Sequence, residues 1–124
     1  IRQVPFSVKQ DSLRNGTYQL GTSNWIADFA DPINYVERFH SEINRGNYSF
    51  EDVDVLIEKA KAAYNDAEAR WNFLVEAEQV AIGEHYVHIP TYQSAGAYLL
   101  KDSVKDLYIP VFGPDSYRYV SIED

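Results

Sequence analysis

The stretch "NWIADFADP", residues 24–32, places a tryptophan, two aspartates and a proline where we predict the junction of a strand and a helix. The preceding residues 17–25, "TYQLGTSNW", begin with an alternation of polar and apolar side chains that is typical of a strand. Asp31 and Pro32 predict a helix start, because Asp accepts backbone N–H bonds at an N-cap and Pro fits the first helical position.

Two later segments carry apolar residues at spacings of three and four, which predicts two amphipathic helices. Ser49 with Asp52 resembles a capping box before the first helix. Asn65 with Glu68 is expected to cap the second, which we expect to end at Gly83. The predicted buried stripes comprise Phe50, Val53, Leu56, Ile57, Ala60 and Tyr64 in the first helix and Trp71, Leu74, Val75, Ala81 and Ile82 in the second.

The remaining segments predict a mixed architecture. A short helix is expected between Pro5 and Gly16, and residues 33–43 have helical spacing. Strands or extended segments are expected at "YVHIPTY" (86–92), "AYLL" (97–100) and "YRYVSI" (117–122), the last after a turn at "FGPD" (112–115). Strands separated by helices favour an α/β or α+β arrangement, with helices packed on a sheet.

The composition excludes several classes of protein. A chain of 124 residues has the size of one domain, and its net charge of -8 argues against nucleic-acid partners. There is no cysteine, which excludes disulfides, thiolate metal sites and cysteine nucleophiles. Because the chain starts with Ile1 and contains no methionine, we expect it to be part of a longer protein.

Asp28 and Asp31 are the first candidates for chemistry. We expect Asp31 to cap the helix, and side chains three positions apart across a strand–helix junction to diverge, which disfavours a catalytic pair. Asp28 has no predicted structural role. It lies just past the strand, where α/β sheets place ligand crevices, so a ligand-binding acid and a solvated loop acid both remain open.

The histidines provide little support for a catalytic or metal site. His85 and His88 lie three apart in a segment expected to be extended, where their side chains point to opposite faces. We expect His40, on an apolar helix face, to be a buried histidine with satisfied hydrogen bonds. The sequence contains no nucleophile motif and no glycine-rich phosphate loop. We therefore expect no catalytic residue, no metal and no cofactor.

Several segments together resemble a known family. "YQLGTSNWIADFADPINYVERFHS" is similar to the C-terminal part of the extracellular solute-binding proteins of peptide ABC importers, in which a strand ends in W-x-A-D-Y-x-D-P. Here Phe29 replaces the usual Tyr. The segments "DVLIEKA", "EARWNFLVEAEQVAI", "HIPTYQSAGAYLLK" and "YRYVSI" follow in the order of the family, so the resemblance covers essentially the whole chain.

The resemblance implies an α/β fold that forms part of the C-terminal lobe of a type II periplasmic-binding-protein-like structure, with helices on a small mixed sheet. Residues 1–124 would be the C-terminal portion of the second lobe of a two-lobe protein. Its partners would be a short peptide, a membrane-embedded ABC permease and its own N-terminal lobe. Such a protein would be extracellular or periplasmic, and anchored to the cell surface as a lipoprotein.

The resemblance also implies a ligand-binding site. Asp28 matches the carboxylate that pairs with the α-amino group of a bound peptide, and a buried ammonium needs such a partner. Trp25, Ile26 and Ala27 match the extended stretch that lines the ligand, and Asn24 borders it. An extended peptide can add to this stretch as a strand, because main-chain hydrogen bonds supply affinity without fixing the side chains.

Other functions remain open on the sequence alone. The same scaffold serves relatives that bind peptide pheromones, nickel chelates, haem or sugars, and Arg14 lies near a basic position that contacts ligand in some of them. A small acidic hydrolase would use Asp28 with His85 or His88. A purely structural interaction domain would lack a concave surface beside Trp25.

Overall fold

The computed structural model describes residues 2–110 and 113–123. Four α-helices precede a small sheet. The elements in chain order are α1 (Phe6–Arg14), α2 (Ile33–Val36), a 3-10 turn (Glu37–Phe39), α3 (Glu51–Ala62), α4 (Ala67–Gln79), a π-helical turn (Val80–Glu84), β1 (Val104–Lys105) and β2 (Ser121–Ile122).

The core is a helical hairpin in which α3 and α4 pack against each other. Ile57 on α3 and Leu74 on α4 are buried, as the apolar spacing predicts. Small residues, Ala60 and Ala77, are fully buried and allow the two helices to approach closely. Val36 and Phe39 join this core from the α2 region, together with Val53, Leu56 and Ala81.

Two residues predicted in the buried stripes are exposed instead. Tyr64 follows the end of α3, so it leaves the helical register, and its side chain is largely in solvent. Trp71 is more than half exposed on α4. The helical period predicts the buried face of each helix correctly. Tyr64 lies beyond the end of its helix and Trp71 lies at the edge of the buried face, so both side chains reach solvent.

The predicted caps of α3 and α4 were wrong in detail. At the start of α3 no side chain caps the helix, and Asp52 accepts from Val53 N instead of closing a box with Ser49. At the start of α4 the cap is Asp66, one residue later than predicted, and its Oδ1 accepts from Ala69 N at 2.9 Å. Helix ends are decided by single hydrogen bonds, so a neighbouring Asn or Asp competes for the same role.

The first helix confirms its prediction. It begins directly after Pro5 and ends before Gly16, whose φ of 64° lies in the left-handed region that favours glycine. The predicted helix over 33–43 is shorter, since α2 ends at Val36 and the chain becomes extended at His40.

His40 is buried, and its Nδ1 accepts from Glu42 N at 3.2 Å, which confirms the prediction of a buried histidine with satisfied hydrogen bonds.

Most predicted strands are unpaired extended segments. Residues 17–25, 86–92 and 97–100 form no strand, and of 117–122 only β2 does. A strand exists only where a second segment offers hydrogen-bond partners, and alternation in a sequence cannot supply one. The predicted turn at 112–115 includes Phe112, which lies outside the described residues.

The sheet is antiparallel, with Val104 opposite Ile122 and Lys105 opposite Ser121. Among the described residues the sheet has these two strands, so it is antiparallel and not mixed as predicted. An isolated bridge between Tyr108 and Ser116 continues the same pairing direction. Among the described residues, no helix is both long and apolar enough to cross a membrane.

Candidate ligand-binding site

Residues 24–28 run as an extended segment whose side chains alternate between solvent and the interior. Ile26 is 79% exposed and Ala27 is 8% exposed. Asn24 and Asp28 share the outward face with Ile26, whereas Trp25 is turned inward with Ala27. Period-two alternation is the geometry of a β-strand, although the segment has no strand beside it.

The backbone of residues 18–27 is unpaired within the described residues, whereas the Asp28 N–H is bonded to Asn34. Within the described part of the chain, no backbone–backbone hydrogen bond is made by residues 18–28. The Tyr18 hydroxyl donates to Gly46 O at 2.7 Å and anchors one end of the region. Because a row of unpaired main-chain N–H and C=O groups is a template for another strand, this stretch is suited to pairing with an added strand.

Asn34, on α2, holds the other end of the segment. Its side chain is 2% exposed, and its Oδ1 accepts from the Trp25 indole Nε1 at 2.9 Å and from the Asp28 backbone N at 3.1 Å. One buried oxygen therefore fixes both the tryptophan and the main chain of the aspartate.

Two arginines lie beside the Trp25 ring. The guanidinium carbon of Arg38 is 4.1 Å from the ring centroid and that of Arg45 is 5.9 Å away, within the range of cation–π attraction. Burial and the like charge of Arg45 lower the pKa of Arg38, whereas the carboxylates of Glu37 and Asp28 act in the opposite direction. The indole is thus held from its edge by Asn34 and from its face by Arg38.

The two aspartates of the motif have different environments. Asp31 Oδ1 accepts from Ile33 N at 2.9 Å and from Arg70 Nη2 at 2.8 Å, so it caps the first turn of α2 as predicted and adds an ion pair, although the N-cap position is Pro32, one residue later than predicted. The hydrogen bond from Arg70 lowers the pKa of Asp31. Asp28 is exposed, and its carboxylate has no hydrogen bond or salt bridge within residues 2–110 and 113–123. Asp28 therefore remains available to a ligand.

The histidines have other contacts. His85 Nε2 lies 2.9 Å from Asp52 Oδ2, and its ring stacks on Phe50 with centroids 3.8 Å apart. His88 packs against the rings of Phe39 and Tyr48. In the part of the chain that the structure describes, neither histidine is hydrogen-bonded to Asp28, as an Asp–His hydrolase requires, and no cluster of three or more potential metal ligands occurs.

Two shallow grooves of about 360 Å³ each lie on the surface, but neither contains Asp28. The first groove is lined by Arg45, which also borders Trp25, and by Arg14, Glu42 and Tyr48. The second is lined by Tyr64, Trp71 and the Asp31–Arg70 pair, among others. Neither groove is lined by residues 24–28, and the first is connected to Trp25 only through Arg45, whose guanidinium carbon lies 5.9 Å from the centroid of the indole ring.

Comparison with known proteins gives consistent matches, although no protein-family model matches the chain. The chain is 30% identical over 92 residues to the dipeptide-binding protein DppE of Bacillus subtilis, covering 73% of the chain and 17% of that protein. It is 28% identical over 117 residues to the oligopeptide-binding protein OppA of the same organism, covering 91% of the chain and 21% of that protein.

The solved structures agree with these relatives. The substrate-binding domain of an oligopeptide ABC transporter from Bacillus anthracis matches 99% of the chain with a TM-score of 0.82 at 30% identity. The chain is a homologue of the peptide-binding proteins of ABC transporters. The pheromone receptor PrgZ, whose structure and mode of peptide binding have been solved, matches 99% of the chain with a TM-score of 0.72 at 28% identity.

These matches confirm the fold class that the sequence predicts. The homologue has the fold of part of a peptide transporter's substrate-binding domain, since it covers 24% of each of these two structures. It spans about a fifth of the length of the curated relatives, 17% of one and 21% of the other. Those relatives are named as binding proteins and not as enzymes.

Sequence reasoning missed Asn34 and Arg38. Asn34 lies in the first turn of a helix, directly after Ile33. A polar residue at such a position is ordinarily assigned to helix capping. Arg38 has helical spacing from Asn34 and reads as a solvated charge. Their contacts depend on how the extended segment folds back over α2, and this fold-back has no sequence signal of its own.

Proposed function

We propose that this chain is the C-terminal portion of the second lobe of a two-lobe substrate-binding protein, which captures short peptides for an ABC importer without catalysing a reaction. The proposal is supported by the two curated relatives and the transporter structures that the chain resembles. In it, residues 1–124 supply one wall of a cleft and the N-terminal lobe supplies the other.

The observation that carries the proposal is the unpaired carboxylate of Asp28 beside an unpaired extended backbone. The carboxylate is exposed and has no partner within the described residues, whereas Asp31 three positions later is bound by Arg70. A peptide brings both a free ammonium group and a main chain that can form a strand. The ammonium pairs with Asp28, and the peptide main chain adds along residues 24–27.

The alternation of side chains assigns different roles to the predicted site residues. Ile26 and Asn24 face outward and contact the ligand, while Ala27 and Trp25 face inward and shape the backbone beneath it. The lack of a side chain beyond Cβ at Ala27 permits tight packing of the segment on the interior. Affinity then comes chiefly from main-chain bonds and the Asp28 charge, which leaves the peptide's side chains loosely specified.

In this function the other partner is a membrane-embedded permease, which receives the peptide after capture. Such a protein works outside the cytoplasmic membrane, in the extracellular or periplasmic space, and is held at the cell surface as a lipoprotein. The net charge of -8 fits a partner other than nucleic acid.

The test compares Asp28→Asn with the unchanged full-length protein, using a free tripeptide and its N-acetylated form. Removing a carboxylate that pairs with a buried ammonium costs about 2–5 kcal/mol, so the free peptide should bind at least ~30-fold more weakly. The acetylated peptide should bind weakly to both proteins. Asp102→Asn, which removes the same charge at an exposed position, should leave binding unchanged. Equal losses for both peptides would refute the role of Asp28.

A peptide pheromone is the second candidate ligand. It is favoured by the similarity to PrgZ over 99% of the chain and by the outward-facing, apolar Ile26. In this case the ligand is one peptide of defined sequence, and the exposed Ile26 favours apolar side chains in it. Competition between one apolar heptapeptide and its scrambled sequence distinguishes the two cases, because a general peptide importer binds both and a receptor binds one.

A further inference from the structure

The extended segment that carries Asp28 is held in place by few interactions. Residues 18–28 form no backbone ladder within the described part of the chain, so nothing in the main chain itself fixes their register. The Tyr18 hydroxyl holds the segment at its start. At its end, the position of Asp28 depends on the hydrogen bond from its own N–H to the side chain of Asn34.

We propose that Asn34 is the positioning residue of the ligand site: it holds the Asp28 backbone, and so the Asp28 carboxylate, at the place where the ligand's ammonium arrives. This inference rests on the proposed function. Asn34 itself is buried and does not contact the ligand. It acts because a carboxylate held in one geometry binds a cation without first losing conformational freedom.

The same amide oxygen couples Asp28 to Trp25. Both donors converge on Asn34 Oδ1, at 2.9 Å from the indole and 3.1 Å from the Asp28 N–H. α2, which carries Asn34, is in turn tied to α4 by the Asp31–Arg70 pair. The side chain of Asn34 therefore fixes the position of the extended segment relative to the helical core.

A merely structural role has to be separated from a positioning role, since losing two hydrogen bonds also destabilises the fold. Asn44 provides a matched control. Its Nδ2 donates to the backbone oxygens of His40, Ser41 and Tyr48, and within the described residues it forms no hydrogen bond with residues 24–28. Asn44→Ala therefore loses a comparable network that includes no hydrogen bond to residues 24–28.

The experiment measures trialanine binding by calorimetry to full-length protein that carries Asn34→Ala, Asn34→Asp or Asn44→Ala. We expect Asn34→Ala to weaken binding about tenfold, roughly the effect of one hydrogen bond. Asn34→Asp keeps an acceptor oxygen at the same position and should restore binding to within about threefold. Asn44→Ala should lower the thermal stability and leave the Kd unchanged.

A second readout tests the hydrogen bond without any ligand. In the full-length protein, the indole N–H signal of Trp25 is identified in the NMR spectrum as the one that disappears in Trp25→Phe. Its hydrogen exchange should become faster in Asn34→Ala and stay slow in Asn34→Asp and Asn44→Ala. Unchanged exchange in Asn34→Ala would overturn the inference.

The outcomes distinguish this inference from the proposed function. If Asp28→Asn weakens trialanine binding while Asn34→Ala does not, Asn34 has no positioning role and the function stands. If Asn34→Ala and Asn44→Ala weaken binding equally, the effect is general destabilisation and the inference fails. If Asp28→Asn has no effect, the proposed function fails and the inference fails with it.

Discussion

Arg70 donates from Nη2 to Oδ1 of Asp31 at 2.8 Å, and this ion pair joins α4 to the start of α2. The residues are 39 positions apart, so the pair links two segments that local structure does not connect. The same Asp31 oxygen also accepts from Ile33 N, which places a cap and an ion pair on one atom. Asp31 is therefore a structural acid, whereas the carboxylate of Asp28 has no hydrogen bond or salt bridge within the described residues.

Replacing Arg70 with Gln should destabilise the chain modestly. The ion pair is hydrogen-bonded but partly solvated, so we expect a loss of about 1 kcal/mol in the free energy of unfolding. Urea denaturation measures it. Arg2→Gln, at an exposed residue, is the control and should change stability by less than about 0.5 kcal/mol. Equal effects of the two substitutions would contradict a stabilising role for the pair.

The same pair predicts a pH dependence. Arg70 lowers the pKa of Asp31 in the folded state, so folding favours the ionised carboxyl. The stabilisation is fully present above the unfolded pKa of about 4 and is lost as the pH falls through the lower folded pKa. Unfolding free energies at pH 7, 4 and 3 should thus fall less steeply in Arg70→Gln than in the unchanged chain. Parallel curves would show that Asp31 does not contribute.

The helical core could be predicted from sequence because its determinants are local. The spacing of Val53, Leu56, Ile57 and Ala60 fixes which face of α3 is buried, and the same holds for Leu74 on α4. The strands could not be predicted in the same way. An alternating segment such as 17–25 becomes a strand only if another segment pairs with it, and this chain brings none to it within the described residues.

The candidate site was predictable in part. The resemblance of "NWIADFADP" to the peptide-binding family singles out Asp28 as a ligand-binding residue, which stays a prediction, and the helix-start chemistry of Asp-Pro correctly assigns Asp31 a structural role. The inward turn of Trp25 and its contact with Asn34 were not predictable, because they arise where an extended segment folds back on α2. Such contacts depend on tertiary geometry and leave no periodic pattern in the sequence.

Substitutions in the core should have large effects. Ile57 is completely buried on α3, so Ile57→Ala leaves a cavity and should cost about 2–5 kcal/mol. Ile57→Val removes one methylene and should cost about 0.5–1.5 kcal/mol. Val55→Ala, on the exposed side of the same helix, is the control and should cost far less. Thermal unfolding followed by circular dichroism measures these losses of stability. If Val55→Ala cost more than Ile57→Ala, the assignment of the buried face of α3 would be wrong.

Two glycines should respond in opposite ways to alanine. Gly16 has a φ of 64°, and a Cβ added there would lie 2.6 Å from Asn47 Nδ2, so Gly16→Ala should destabilise by about 1 kcal/mol or more. Gly83 lies in the π-helical turn with no atom within 4 Å of an added Cβ. Gly83→Ala should therefore stabilise by about 0.4–1 kcal/mol. If both variants lost stability, the left-handed backbone at Gly16 would not explain the loss in Gly16→Ala.

Neighbouring residues of the extended segment should separate binding from folding. Ile26 faces solvent, so Ile26→Ser should change the unfolding free energy by less than about 0.5 kcal/mol. It removes apolar surface that a bound peptide would cover, which predicts a loss of about 1 kcal/mol, or roughly fivefold, in peptide affinity.

Ala27 is the opposite case, because its side chain points inward. Ala27→Leu overpacks the interior and should destabilise folding by about 1–3 kcal/mol. Paired measurements of unfolding and of trialanine binding in the full-length protein decide the matter. Were Ile26→Ser to unfold the protein while Ala27→Leu left it intact, the segment would lie in the opposite register, with its other face toward the ligand.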